Sequence, residues 1–354
     1  MCGSARRSGP EVRIDRAEGK TVAERVRLID VAREAGTSVS TVSRALNGSD
    51  LISPEVVAHV RAVAGQLGYR ADKRAQEFKL GRPLTVGVTV PDLTNPFFSE
   101  VLKGLNASAR AGGYRLLIGE SSEDPAEELR LVDELVDYSG ALVLCSSRLT
   151  RAGLEKALAQ PVPVVCINRT VKNAGVVAID YRAASRLLLE HLTGLGHRRV
   201  LYVGGPATSW SDGERRRTLR RTARALDVTL DEIDGGWSGN HGYDAGPTVL
   251  HSRATAVITF NDLVGIGLLS WMYDNGVEVP SELSVASYDD IPIAAYSRPP
   301  LTSLRNERAK LGELAWEQLT KRLGGADWPA PDLLTPELVV RASTGPARRR
   351  ARIR

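Results

Sequence analysis

Val39, Ser40, Ser43 and Arg44 fall on the outer face of a short stretch whose inner stripe is Val42, Ala45 and Leu46. Small, hydroxyl and guanidinium side chains near the start of a short helix suit the DNA major groove: arginine pairs with guanine, serine is permissive, and valine can touch a thymine methyl. Ser38 stands where it can cap this helix. Gly36 lets the chain turn just before it, and Leu28, Val31, Ala32 and Ala35 mark a preceding helix at close to helical spacing. An ordinary helical hairpin fits these residues equally well.

A second constellation sits in four loops that follow apolar runs: 91–98, 205–212, 261–262 and 287–290. Three of the four phenylalanines, Phe97, Phe98 and Phe260, fall at these strand ends, with Asn95, Trp210, Asn261, Asp262 and Asp289 in the loops and Arg215 shortly after one. Aromatic faces stack on sugar rings, and carboxylate, amide and guanidinium groups take hydroxyls pairwise, so the set suits a small polyhydroxylated ligand. Taken singly, each residue also fits loop capping or packing; Asp290 fits a helix cap.

These residues need elements to place them. Ser53-Pro54-Glu55 is a helix start, with a capping hydroxyl, a proline in the first turn and an acid at the positive end. Val56, Val60, Val63 and Leu67 then close a three-helix core. From Leu84 onward, strands are expected at 86–90, 115–119, 141–146, 162–168, 176–180, 200–204, 256–260 and 283–288. Helices are expected between them, at 98–112, 126–138, 182–195, 213–226 and 262–276 among others. Continuous Val/Ile/Leu strands alternating with helices imply parallel sheets covered on both faces, and the length calls for more than one sheet. In such sheets ligands bind beyond the carboxyl ends of the strands, where the four loops lie.

The net charge of +5 is unevenly spread. Residues 1–82 hold 15 Lys/Arg against 10 Asp/Glu, residues 345–354 hold five arginines and no acid, and the middle carries 27 basic against 32 acidic residues. Phosphate binding therefore belongs to the amino-terminal region. Residues 1–26 lack apolar periodicity and are expected to be disordered, as is the basic tail 345–354. No apolar run has membrane-spanning length, and the N-terminus has no signal-peptide core, so a cytoplasmic location is expected. Cys2, Cys145 and Cys166 cannot all pair within one chain; Cys145 and Cys166 read as buried small hydrophobes.

The order Asp-Val-Ala…Ala-Gly…Ser-x-x-Thr-Val-Ser-Arg-x-Leu-Asn, starting at Asp30, resembles the lactose/galactose repressor (LacI/GalR) family of bacterial transcription regulators, and the resemblance runs from about Arg27 to about Ser343. It implies an all-α helix-turn-helix domain at 27–70, a hinge at 71–82 and an α/β effector-binding and dimerisation domain at 83–344. The last is expected to be periplasmic-binding-protein-like (type I), with two Rossmann-like lobes. The N-lobe is placed at about 83–181 and 303–334, and the C-lobe at about 182–302 and 335–344. The resemblance assigns Val39 and Ser40 to base choice and Arg44 to a further groove contact; Ser38, Thr41, Ser43 and Asn47 are the candidate phosphate contacts. It puts Phe78 where the family inserts an apolar wedge, usually leucine, into the central minor-groove step. Positions matching Phe97, Arg215, Asp262 and Asp289 line the family's effector cleft. The implied partners are a palindromic double-stranded DNA operator, a sugar effector and a second copy of the chain. The implied function is a repressor whose operator affinity the effector controls.

The sequence departs from the family pattern at several points. Arg27 replaces the usual capping threonine of the first helix, Thr37 replaces a valine, and Ala71 replaces a common proline. Asn306-Glu307 replaces Gln-Pro. Arg216-Arg217-Thr218-Leu219, continuing to Arg220, Arg221 and Arg224, replaces a small residue and glycine; it is expected to be a solvated helix face, with an anionic effector as the lesser alternative.

An enzyme is not expected. Gly265-Ile266-Gly267 lacks a third glycine, there is no phosphate-loop motif, and His59, His191, His197, His241 and His251 form no metal-ligand spacing. No cofactor is expected. The competing reading is a solute-binding sensor without direct DNA regulation, which shares the lobes but would lack the helix-turn-helix.

Overall fold

The computed structural model describes residues 26–46, 51–69 and 83–348. The chain divides into two compact units, 1–76 and 77–354. The expectations for 1–25, the hinge 71–82 with Phe78, Asn47, and the tail from 349 lie outside the described residues.

The small unit is three helices, α1 (Leu28–Glu34), α2 (Val39–Leu46) and α3 (Pro54–Gln66). Val31, Ala32, Ala35, Val42, Ala45, Val60, Val63 and Ala64 form its core. Gly36 turns the chain between α1 and α2 at φ +61°, a region a Cβ disfavours. Ser38 then caps α2, its Oγ accepting from Thr41 N–H at 3.0 Å. With no threonine at the start of α1, Asp30 serves instead, accepting the Arg27 backbone N–H at 2.9 Å. Ser53 makes no side-chain cap bond, contrary to expectation. Pro54 with its preset φ and Glu55 at the positive end start α3.

The large unit holds two six-stranded sheets. The first contains β1 (Thr85–Val90), β2 (Arg115–Glu120), β3 (Ala141–Cys145), β4 (Val164–Ile167), β5 (Gly175–Ile179) and β11 (Asp332–Leu334), in the order β11-β5-β4-β3-β1-β2. The second contains β6 (Arg199–Val203), β7 (Thr229–Ile233), β8 (Ala256–Thr259), β9 (Ser284–Asp289), β10 (Thr302–Arg305) and β12 (Glu337–Val339), in the order β12-β10-β9-β8-β6-β7. Every pairing is parallel except β10 with β12. The eight expected strands are present. Of the four unforeseen ones, β7 and β10 are largely polar and β11 and β12 are only three residues long, so they lack the apolar run that marks a central strand.

The helices that bear on the site are α4 (Pro96–Ala111), α5 (Pro125–Tyr138), α6 (Arg151–Leu158), α7 (Tyr181–Gly194), α8 (Trp210–Ala225), α9 (Gly239–Asp244), α10 (Gly246–His251), α11 (Asp262–Asp274) and α12 (Arg308–Leu323). The chain passes between the sheets after β5, after β10 and between β11 and β12. The second passage corrects the expected lobe boundary at 303: Thr302 to Arg305 pair in register with Ala286 to Asp289, so these four residues stay in the second sheet. Beyond them α12 lies on α4 at backbone distance. A Cβ on Gly104 would stand 2.0 Å from the Ala309 carbonyl oxygen.

A buried and a half-buried histidine tie down the end of this unit. His197 reaches Thr255 Oγ1 at 2.8 Å and the Gly345 carbonyl at 3.0 Å, and His191 reaches Thr344 Oγ1 at 2.9 Å. Cys145 and Cys166 are free and buried, and burial pushes both thiols up to about 12.

Candidate functional site

The small unit presents one polar helix face. Val39, Ser40 and Arg44 are exposed while Val42 and Ala45 are buried, so the side chains assigned to base reading point outward from α2. Thr41 and Ser43 are half-buried, and Ser38 divides its hydroxyl between the Thr41 N–H and the Thr41 hydroxyl. This leaves a helix start free of bulky groups, which a duplex backbone can approach.

In the large unit one cleft gathers residues from the carboxyl ends of both sheets. It is lined by Asn95, Phe97, Phe98, Glu123, Ser146, Arg148, Asn168, Tyr181, Ser211, Arg215, Trp237, Phe260, Asn261 and Asp289. Each lies in or just past the loop leaving a parallel strand, as the strand-end rule requires. Glu123, Ser146, Asn168 and Asp289 hold left-handed backbones with φ of 64°, 49°, 58° and 103°. Such strain in residues other than glycine gathers where a site needs side chains aimed off the regular path.

Arg215 is the centre of the second-lobe wall. Its guanidinium carbon stands 5.3, 4.7 and 4.4 Å from the rings of Tyr181, Phe260 and Tyr288. It donates to the Phe260 carbonyl and faces Asp289 Oδ1 at 3.6 Å. Burial opposes its charge, but Asp289 and the surrounding tyrosines outweigh that and raise its pKa. Burial raises the Asp289 carboxyl, against the pull of Arg215 and Arg308. Four buried atoms here, Arg215 Nε, Asp289 Oδ1, Tyr181 Oη and Tyr288 Oη, have no well-formed hydrogen bond among the described residues. Buried polar atoms are rarely left so, and four together mark a place where a polar ligand or water belongs.

The first-lobe wall carries its own pair. Arg148 clasps the Glu123 carboxylate through Nε and Nη2, and gives Nη1 to the Ser146 carbonyl at 2.7 Å. Behind it, Glu128 accepts from the backbone N–H groups of Arg148 and Leu149 at 2.6 and 3.1 Å, and burial raises its pKa. Arg169 donates to the carbonyls of Ser147 and Leu149, which fixes the loop from the other side. Both charged pairs of the cleft are thus closed within their own lobe, so the lining presents balanced charge.

The expected residues divide. Asn95, Phe97, Phe98, Arg215, Asn261 and Asp289 meet in the cleft. Asn95 and Asn261 each also cap a helix, accepting from Phe97 and Val264 N–H at 2.9 Å. Asp262 and Trp210 are not among the lining residues. The Asp262 carboxylate turns into the second lobe, accepting Ile291 N–H at 2.7 Å and Ser303 Oγ at 2.6 Å, and burial drives its pKa to about 8. Trp210 packs on the core. Glu123, Ser146, Arg148, Asn168, Tyr181, Ser211 and Trp237 were missed. The signal was present for Glu123, Ser146, Arg148, Asn168 and Tyr181, which leave the expected strands β2, β3, β4 and β5; Ser211 lies in the 205–212 loop, and Trp237 follows β7, which the sequence did not mark as a strand.

The arginine run beyond Arg215 is less solvated than expected. Arg216 is half-buried and pairs with Asp212, Glu232 and Asp234, and Arg220 pairs with Glu232.

Residues 27–72 match the domain described as "Bacterial regulatory proteins, lacI family", and residues 189–344 match a periplasmic binding protein-like domain. The HTH-type transcriptional regulator GalS of Salmonella typhimurium is 33% identical over 323 residues, spanning 89% of this chain and 95% of that protein. The chain belongs to the lacI family of bacterial regulators. The ribose operon repressor of Escherichia coli K12 is 29% identical over 89% of this chain and 98% of its own length. The lac repressor dimer bound to operator and the anti-inducer ONPF superposes with a TM-score of 0.80 at 24% identity, covering 91% of this chain and 100% of that one. The regulator CelR in complex with cellobiose does so with a TM-score of 0.68 at 26% identity, covering 90% and 100%. Membership makes this lacI-family chain a DNA-binding transcriptional regulator rather than an enzyme. Among the described residues no helix is long and apolar enough to cross a membrane.

Proposed function

We propose that this protein is a cytoplasmic repressor that binds a palindromic operator as a homodimer and changes its operator affinity when a neutral sugar enters the cleft. The observation that carries the sugar reading is the Arg215–Asp289 pair, buried among aromatic rings with four polar atoms unmatched. A sugar hydroxyl both donates and accepts, so it can take a guanidinium N–H and a carboxylate oxygen together, while its ring faces stack on Phe97, Trp237 or Phe260. Charge balance within each wall favours a neutral ligand over a sugar acid. The relative named ribose operon repressor, and the cellobiose complex of CelR, support the same class.

On the operator side, Val39, Ser40 and Arg44 read bases, and Ser38, Thr41, Ser43 and Asn47 hold phosphates. Phe78 is assigned the minor-groove wedge, and its replacement by alanine is expected to weaken specific operator binding while leaving sugar binding intact. The cleft cavity measures about 30 Å³, room for one water and well short of the roughly 300 Å³ of a small-ligand pocket. Sugar entry therefore requires the lobes to part or the side chains to rotate. A change of this kind need alter operator affinity by only about 1–3 kcal/mol to act as a switch.

A thermal-shift screen of neutral sugars and sugar phosphates against the intact protein tests the reading, because a ligand at 100 times its Kd adds about 2.7 kcal/mol of apparent stability. The expected hit is a neutral sugar whose shift disappears in Asp289→Asn and which alters operator retention in a gel shift. A hit that shifts Asp289→Asn equally, or a screen in which no sugar shifts the protein, overturns it.

A further inference from the structure

The arginine-rich helix α8 serves more than the cleft. Arg215 faces the cleft, and Arg216 and Arg220 are tied to acids. Arg217 and Arg221 line a separate groove of about 610 Å³ between α7 and α8, opposite Arg182 and Arg186 of α7. Ser185 Oγ and Thr218 Oγ1 meet at 2.7 Å in the buried seam beneath. Ser185 lies within the turn from Arg182 to Arg186, and Thr218 within the turn from Arg217 to Arg221. That bond therefore sets one pair of guanidinium groups on each bank.

The arrangement is unfavourable without an anion. Two arginines four residues apart on one helix repel each other, and here two such pairs confront one another. Two other arginines of α8 have acids: Arg216 touches Asp212, Glu232 and Asp234, and Arg220 touches Glu232, while Arg224 forms no ion pair among the described residues. In the groove only Arg217 has one, Glu214; Arg182, Arg186 and Arg221 form no ion pair among the described residues. Of the two acids of the lining, Asp180 is the N-cap of α7 and Glu190 stands one turn past Arg186, without an ion pair among the described residues. Asp180 is engaged as the α7 cap, accepting from Arg182 and Ala183 N–H at 2.9 and 3.0 Å. The surrounding chain, residues 83–344, is net acidic, with 27 basic against 32 acidic residues, so the patch is a local concentration of cations.

We propose that the α7–α8 groove is a second ligand site, distinct from the sugar cleft, that binds a compact phosphate-bearing polyanion. Guanidinium forks match phosphate oxygens two at a time, and a diphosphate-sized anion can be clamped from both banks at once. The site does not depend on the identity of the cleft ligand.

Isothermal titration of the full-length protein with inorganic pyrophosphate at low and at physiological salt tests this, with orthophosphate and sulfate as comparison ions. Saturable binding of one pyrophosphate per chain is expected, weakened at least tenfold in Arg186→Ala/Arg221→Ala and likewise in Arg186→Gln/Arg221→Gln, which keeps more of the side-chain bulk. Arg224→Ala removes an exposed arginine of α8 outside the groove lining and is expected to bind as the parent does. Circular dichroism melting verifies that each variant is folded. Absence of saturable binding, equal affinity in the double variants, equal weakening by Arg224→Ala, or sulfate binding as tightly as pyrophosphate would each overturn the proposal.

Discussion

Arg215 and Asp289 stand 3.6 Å apart with both side chains about one-twentieth exposed, each the other's charged partner across the ends of α8 and β9. Truncating one member of such a pair leaves the other charge buried, at a cost of about 3–5 kcal/mol. Arg215→Ala is expected to lower the urea-derived stability of the protein by that order and to abolish any sugar-induced thermal shift. Asp289→Asn also leaves Arg215 without its charged partner but keeps the shape and an amide oxygen facing it, so it is expected to cost less stability than Arg215→Ala while losing the sugar response. A stable Arg215→Ala protein that still responds to sugar contradicts the placement of the pair at the ligand.

Asp262 gives a pH signature. Its folded pKa of about 8 lies above the ordinary carboxylate value because burial disfavours the carboxylate. A group raised on folding contributes stability that is full below its unfolded pKa and is lost as pH rises through its folded pKa, since the native state holds a proton the unfolded chain has released. Wild-type stability is therefore expected to fall relative to Asp262→Asn between about pH 4 and pH 8. Urea titrations of both proteins at several pH values check this, and parallel curves contradict it.

Asp262 also shows where sequence reading ends. It follows Asn261, which does reach the cleft, yet its carboxylate goes to Ile291 and Ser303, partners 29 and 41 residues away. Nothing local in the sequence distinguishes the two side chains; the packing of β9 and β10 does. β3, β4 and β8 were legible because apolar residues run nearly unbroken through them. β7, with Thr229, Asp231 and Glu232, was not, because an edge strand can be polar. Hence Trp237, just beyond β7, was overlooked. The cleft residues on the first lobe were legible in principle: Ser146 and Asn168 follow apolar runs directly and needed only the same strand-end argument that found Phe97 and Phe260. Arg148 and Glu123 were harder, since their pairing brings together loops 25 residues apart.

The contact of α4 with α12 leaves no room for a side chain. A Cβ on Gly104 would lie 2.0 Å from the Ala309 carbonyl oxygen, and one on Gly312 would lie 2.2 Å from that of Val101. Backbone cannot rotate aside as a side-chain tip can, so the helices would have to separate. Overpacking of this kind costs about 1–3 kcal/mol, occasionally more. Gly104→Ala is expected to lower the urea midpoint accordingly, although alanine is the better helix former by about 1 kcal/mol. An unchanged or raised midpoint would show that the helices separate freely.

Ser38 and Arg44 should fail in different ways. Arg44 is exposed on the outer face of α2 and its side chain makes no hydrogen bond or ion pair among the described residues, so Arg44→Ala is expected to leave the fold intact. If it forks onto a guanine, its loss costs about 1–3 kcal/mol and relaxes preference at one base pair of each half-site. Ser38 caps α2 through Thr41 N–H, so Ser38→Ala costs about 1 kcal/mol of stability and removes a candidate phosphate contact. That loss falls on all sequences alike. Quantitative gel shifts on a set of single-base operator variants separate the two. The expected pattern is a flattened profile at one position for Arg44→Ala and a uniform drop for Ser38→Ala. A uniform drop for Arg44→Ala would reassign that arginine to the phosphate backbone.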